Sequence, residues 1–305
     1  MISRPGQKVI IGSRGSALAR WQTGWAAGRL REAWPHLDIQ VEYFTTSGDR
    51  IMERPLPEFG GQGVFTDDLA QALLDNKIDI AVHSLKDLPL EQPAGLTLGA
   101  ISERADAHDV LVAARPYTLQ TLPNAARVGT SSLRRSAQLL AARPDLAILP
   151  IRGNVDTRIR KALDGSYEAI ILAAAGLERL GMTEHIVESL PFEVMLPAPG
   201  QGALALQCRA DAAFVLECLG ALDHEPTHRA VSAERTFLQV LGGGCSAPIA
   251  AYASADGTQL KMSGLVATPD GSQIVRASAQ GSDPQQLAAR LAQEVLARGA
   301  GALLP

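Results

Sequence analysis

The chain has 305 residues, 46% hydrophobic and 20% charged, a balance that excludes a disordered protein and allows two or three domains with proper cores. Its 28 basic and 32 acidic residues leave a formal charge of -4, which excludes the net basic footprint of a general nucleic-acid or membrane-surface binder. There is no leader-like apolar start and no run near the roughly 18 residues of a membrane span. Cys208, Cys218 and Cys245 show neither pairing nor zinc-type spacing, so a cytoplasmic chain without disulfides or metal is expected.

Short β-branched runs alternate with helical patterns. Residues 8–11 predict a strand, 16–34 a helix, 39–45 a strand, 66–76 a helix and 78–82 a strand. The order then recurs: strand 127–129, helix 133–142, strand 146–150, helix 155–163 and a buried strand at 169–173. Such alternation predicts α/β units with mostly parallel sheets and ligand-binding loops at the strand C-terminal ends. After Pro197 the character changes. Pro and Gly punctuate LPAPGQGALALQCRA, helical patterns follow at 214–222 and 227–241, residues 250–279 alternate like antiparallel strands, and 285–298 form an amphipathic helix. A smaller α+β domain is expected there.

Between Arg127 and Lys161 eight basic residues face two acidic ones, so this segment should attract anions. In VGTSSLRRSAQLL, Thr130, Ser131 and Ser132 are N-cap candidates, which puts Arg134 and Arg135 in the first helical turn. Cations oppose the macrodipole there unless an anion sits close by; the alternative is a solvated surface pair. IRGNVDTRI repeats the device with Arg152, the cap candidate Asn154, and Arg158 one turn on. Arg14, in a loop that Ser16 could cap, makes a third anion seat. Arginine's planar fork suits carboxylates, and neither GxxxxGK[ST] nor GxGxxG is present to favour a nucleotide.

DIAVHSLKDLP ends a buried strand with His83, Ser84, Lys86 and Asp87. Asp87 beside Lys86 reads either as an ordinary surface ion pair or as a carboxylate held ionised to accept N–H bonds from a cationic intermediate. The role of His83 stays open. In LGGGCSAPIA, three glycines precede Cys245, which is either a small buried hydrophobe or a thiol presented on a loop that a bulky group can reach.

Seven segments together resemble the porphobilinogen deaminase family: SRGSALA, AVHSLKDLP, VGTSSLRR, IRGNVDTRI, ILAAAGLERLG, LPAPGQGALA and LGGGCSAPIA, spread over about the first 250 residues. The resemblance implies two periplasmic-binding-protein-like α/β domains with a hinge plus a small C-terminal α+β domain. Domain 1 would span 1–102 and 200–221, domain 2 would span 103–199, and domain 3 would span 222–305. It implies a monomeric transferase that condenses four porphobilinogen molecules, with loss of ammonia, onto a dipyrromethane cofactor and releases hydroxymethylbilane. The cofactor would be joined by a thioether to Cys245.

Residue by residue, the resemblance makes Asp87 the main catalytic group, aided by Arg14, Arg152 and Arg158. Substrate would meet Arg14, Arg152, Arg158 and Arg179, with Gln22, Asn154 and Gln201 as secondary contacts. Lys86, Asp87, Ser84, Ser132, Arg134 and Arg135 would hold the cofactor. Three positions depart from the family's usual basic residues: Gln62 and the neighbourhood of Asp67 in a lid-like loop, and Glu178. The reading from a different class is a non-catalytic binding protein for a small di-acid, which would use the same arginines but need neither Asp87 nor Cys245.

Overall fold

The computed structural model describes residues 7–44, 67–243 and 247–304. The chain divides into two compact units, residues 1–104 with 203–228, and residues 105–202 with 229–305.

In the first unit, β1 (Lys8–Arg14), β2 (Asp38–Phe44), β3 (Ile80–Ser84), β4 (Leu96–Ile101) and β10 (Leu204–Arg209) form one sheet in the order β2-β1-β3-β10-β4. Strands β1, β2 and β3 run parallel, and β10 is antiparallel to both β3 and β4. Helices α1 (Ala17–Ala33), α2 (Asp67–Leu74) and α6 (Ala213–Gly220) cover it. Burial on both faces explains why β3 shows Ile80, Ala81, Val82 and His83 in an unbroken buried run rather than alternation. Ser16 caps α1 as the sequence suggests, its Oγ accepting the Ala19 N–H at 3.3 Å.

The second unit contains β5 (Asp109–Val112), β6 (Arg127–Gly129), β7 (Ala147–Leu149), β8 (Ala169–Ala173) and β9 (Ile186–Leu190), in the order β7-β6-β8-β5-β9. Its connecting helices are α3 (Leu133–Ala142), α4 (Val155–Leu163) and α5 (Ala174–Leu180). The pairing matches that of the first sheet: β6 is parallel to β7 and β8, while β5 is antiparallel to β8 and β9. Two α/β domains of one topology are therefore present, as the resemblance implies.

Both sheets are mixed, where the sequence predicts mostly parallel ones. The antiparallel strand in each case is the one by which the chain enters the unit: β5 follows the crossing at residues 104/105, and β10 the crossing at 202/203. Each starts at the edge where the parallel strands end, Asp109 opposite Ala173 and Leu204 opposite Ser84, so it can only run back across the sheet.

The C-terminal part of the second unit is the expected α+β element. Antiparallel β11 (Ile249–Asp256), β12 (Gln259–Ala267) and β13 (Ile274–Gly281) pack on α8 (Pro284–Ala297) and on the second-unit residues of α7 (Glu225–Val240). Phe237 of α7 is fully buried, and a Cβ on Gly264 of β12 would lie 2.4 Å from its Cζ, so only glycine lets the ring approach. Among the described residues no helix is long and apolar enough to cross a membrane.

Candidate functional site

Parallel pairing of β1 with β3 puts Arg14 and Ser84, the last residues of these strands, at one edge of the first sheet. Beyond Ser84 the chain makes a 3-10 turn, Leu85–Asp87. Leu85 and Leu88 are buried and pin that turn, and the Leu85 N–H donates to Ala203 O at 3.0 Å. Between the two anchors Lys86 is half-buried and Asp87 exposed. Gln22 is buried on α1 and donates its Nε2 to Ser84 Oγ at 2.8 Å. His83 is buried beneath the turn. Burial pushes its ring down to about 4; the Gln207 amide opposes this and the Arg14 charge adds to it, so His83 is neutral at pH 7.

The second unit gathers its arginines at the equivalent edge. Between β6 and α3, Ser131 Oγ donates to Ile151 O at 2.8 Å and accepts the Ile151 N–H at 3.1 Å, stapling the loop after β6 to the loop after β7. Ser132 and Asn154 occupy the N-cap positions of α3 and α4, but neither side chain makes the capping hydrogen bond. Arg152 and Asn154 are exposed, and Arg158 is half-buried with its Nε donating to Gly153 O at 2.7 Å. Gly153 sits at φ +112°, and a Cβ there would lie 2.8 Å from Thr157 Cγ2, so this loop before α4 requires glycine. Arg179, half-buried on α5, donates to Gly202 O at 2.6 Å. Burial lowers it to about 10, with Glu178 opposing, and it remains a cation at pH 7.

Arg134 and Arg135 are not a solvated pair. They are 5% and 7% exposed and converge on Asp109, which is 0% exposed. Arg135 donates from Nε at 3.1 Å and from Nη2 at 2.7 Å to Asp109 Oδ1, while Arg134 Nη1 lies 2.7 Å from Oδ2. Backbone carbonyls take further donors: Arg134 Nη1 reaches Leu196 O at 2.7 Å and Arg135 Nη1 reaches Ile171 O at 3.0 Å. Gln201, also fully buried, donates to Ala107 O at 2.8 Å and to Asp109 Oδ1 at 3.0 Å. Burial by itself would raise the Asp109 carboxyl, and the two guanidiniums overcome it, holding the group far below the usual carboxylate range. Asp109 was absent from the sequence candidates. One carboxylate against two guanidiniums leaves one positive charge in excess at this edge.

Cys245 and Gln62 lie outside the described residues. Asp67 is the exposed first residue of α2, and Glu178 is exposed beside Arg179. Cys208 and Cys218 are buried, and burial pushes both thiols up to about 11, which leaves neither a reactive thiolate.

Arginines collected at the strand ends of twin α/β sheets, with positive charge left over, are the arrangement of a protein that binds small molecules rich in carboxylates. The family model "Porphobilinogen deaminase, dipyromethane cofactor binding domain" matches residues 9–217, and "Porphobilinogen deaminase, C-terminal domain" matches 228–297. Porphobilinogen deaminase of Brevibacillus brevis is 48% identical over 298 residues, covering 97% of this chain and 96% of the relative. That of Moorella thermoacetica is 48% identical over 299 residues, with the same two coverages, 97% and 96%. Among solved structures, the alkanesulfonate-binding protein SsuA from Xanthomonas axonopodis pv. citri is 14% identical, with a TM-score of 0.41 and a match that covers 77% of this chain and 75% of that one.

 The chain belongs to the porphobilinogen deaminase family.

Proposed function

We propose that this chain joins four porphobilinogen molecules head to tail with loss of ammonia and releases linear hydroxymethylbilane. Family membership along nearly the whole chain supports the reaction. The observation that carries the site is the excess positive charge of the Arg134, Arg135 and Asp109 cluster, since each pyrrole unit brings an acetate and a propionate.

The residues present fit a dipyrromethane: one guanidinium charge is unmatched by Asp109, and the first turns of α3 and α4 are not capped by Ser132 or Asn154. Lys86, Ser84, Ser132, Arg134 and Arg135 would hold its acid groups, and Cys245 would carry the thioether. When bound, it supplies the nucleophilic pyrrole carbon at which elongation starts.

Arg14, Arg152, Arg158 and Arg179 bind the carboxylates of porphobilinogen and of the growing chain, with Asn154 as a secondary contact. Protonated porphobilinogen loses its amino group as ammonia and leaves a cation delocalised over the pyrrole nitrogen. Asp87 accepts that N–H and stabilises the cation. The methylene carbon then bonds to a free pyrrole α-carbon, whose proton departs, and water ends the sequence. Gln22 and Gln201 support this set by holding Ser84 and Asp109.

The three-domain division, 1–102 with 200–221, 103–199 and 222–305, belongs to the same proposal and is supported by three separate sheets. So do action as a cytoplasmic monomer and independence of nucleic acid, supported by the charge of -4 and two buried free thiols. Intact mass of the purified chain and of Cys245→Ser is the test. An excess of two pyrrole units in the wild type and none in the variant is expected. A wild type that gains nothing even on incubation with porphobilinogen would overturn the reading in favour of a di-acid binder.

A further inference from the structure

Asp109 opens β5 opposite Ala173, the last residue of β8, at the sheet edge from which the loops to α3 and α4 leave. It has no contact with solvent, yet two side chains, Arg135 and Gln201, donate to it and a third, Arg134, pairs with it at 2.7 Å. Its two oxygens are divided between the arginines: Oδ1 takes the Nε and Nη2 of Arg135, and Oδ2 faces Nη1 of Arg134. Because a guanidinium is planar, two or three fixed bonds set the direction of its remaining donors. Among the described residues Arg134 engages only Nη1 through its side chain, with Asp109 and with Leu196 O, so its Nε and Nη2 are left over.

We infer that Asp109 is a positioning residue: it neutralises one of the two buried charges and, held by Gln201, fixes both guanidiniums so that the leftover donors of Arg134 meet a ligand carboxylate. This rests on the proposed role of the pair in cofactor binding. Asp109 itself touches no ligand in this account. Its effect passes through the arginines, as supporting groups act through the residues they orient.

Asp109→Glu keeps the charge and displaces the carboxylate by one methylene. The purified variant is compared with wild type for the rate at which apo chain gains adduct mass with porphobilinogen, and for the rise in unfolding midpoint produced by succinate. Leu146→Ala, a core truncation in the same unit, serves as a control for lost stability. The expected result is adduct gain slowed roughly ten- to hundredfold in Asp109→Glu, with weaker succinate binding, while Leu146→Ala loads at the wild-type rate. Wild-type loading by Asp109→Glu, or equal slowing in Leu146→Ala, overturns the inference. If wild type takes no adduct, the cofactor reading fails by itself, and equal succinate affinity in wild type and Asp109→Glu then overturns the positioning role separately. Should Asp109→Glu not fold, Gln201→Leu removes only the supporting amide and is held to the same outcomes.

Discussion

The two units treat charge in opposite ways. The first presents Asp87 in water on a three-residue turn anchored by buried Leu85 and Leu88, and what it buries beneath is the neutral ring of His83. The second buries two guanidiniums and a carboxylate together. The contrast fits a division of labour. A carboxylate that serves a succession of short-lived cations must exchange its hydrogen bonds at every step, and water permits that. Groups that hold one permanently attached anion can be fixed when the chain folds, with their desolvation offset once by a counter-ion.

The largest effect should follow from removing the exposed carboxylate. Asp87→Asn keeps the shape of an exposed side chain, so its unfolding midpoint should match wild type, with a stability change within about 0.5 kcal/mol. Turnover should fall by a factor on the order of 100 or more, because the charge that stabilises the cation is gone. The adduct mass should be retained. Steady-state rates, midpoint and intact mass measured on one preparation check all three, and near-normal turnover would erase the distinction between the units.

Acidification separates the units by a different route. The His83 ring ordinarily titrates near 6.5 and is held down to about 4 in the folded chain. Above the upper value it is neutral in both states, and the full stability is present. As pH falls through this window the unfolded chain takes up a proton that the folded chain refuses, so stability is lost at up to about 1.4 kcal/mol per pH unit, about 3 kcal/mol in all. Asp109, whose folded value is depressed, acts lower: its contribution stands above the ordinary carboxylate value and disappears only as pH drops below it. In denaturant unfolding, His83→Asn should flatten the loss between about pH 6.5 and about pH 4. An unchanged slope would mean that the imidazole is not held neutral.

Much of this was legible in the sequence, and the parts that were not share a cause. Strands at Arg127–Gly129 and Ala169–Ala173 and helices at Leu133–Ala142 and Val155–Leu163 fall at the expected bounds, because local periodicity and cap-forming residues mark them. Strands β5 and β10 escaped. DVLV is short, and LALQCR follows a Pro/Gly-rich stretch that reads as a loop; both are made strands by partners distant in sequence. Asp109 escaped with β5, since its partners at 134, 135 and 201 are remote and nothing near it marks a site. One signal did point to it: two arginines in a first helical turn demand an anion. The resemblance gives that anion as a cofactor carboxylate, whereas the fold itself supplies one in Asp109.

The smallest effect tests how each unit ties down its loops. In the first, the tie is between two side chains, Gln22 to Ser84 at 2.8 Å. In the second, one hydroxyl bonds both polar groups of the Ile151 backbone, at 2.8 Å and 3.1 Å, and so fixes the approach to Arg152. Ser131→Ala removes both bonds and leaves a buried peptide edge partly unsatisfied, which should cost about 1 kcal/mol. Because Arg152 follows Ile151 directly, the loosened loop should bind substrate less well, raising KM by a few fold with kcat little changed, while adduct mass stays at the wild-type level. A loss of kcat instead would show that the loop after β7 takes part in the transition state, and the separation between fixed anchors and exchangeable contacts would then have to run through the second unit rather than between the two.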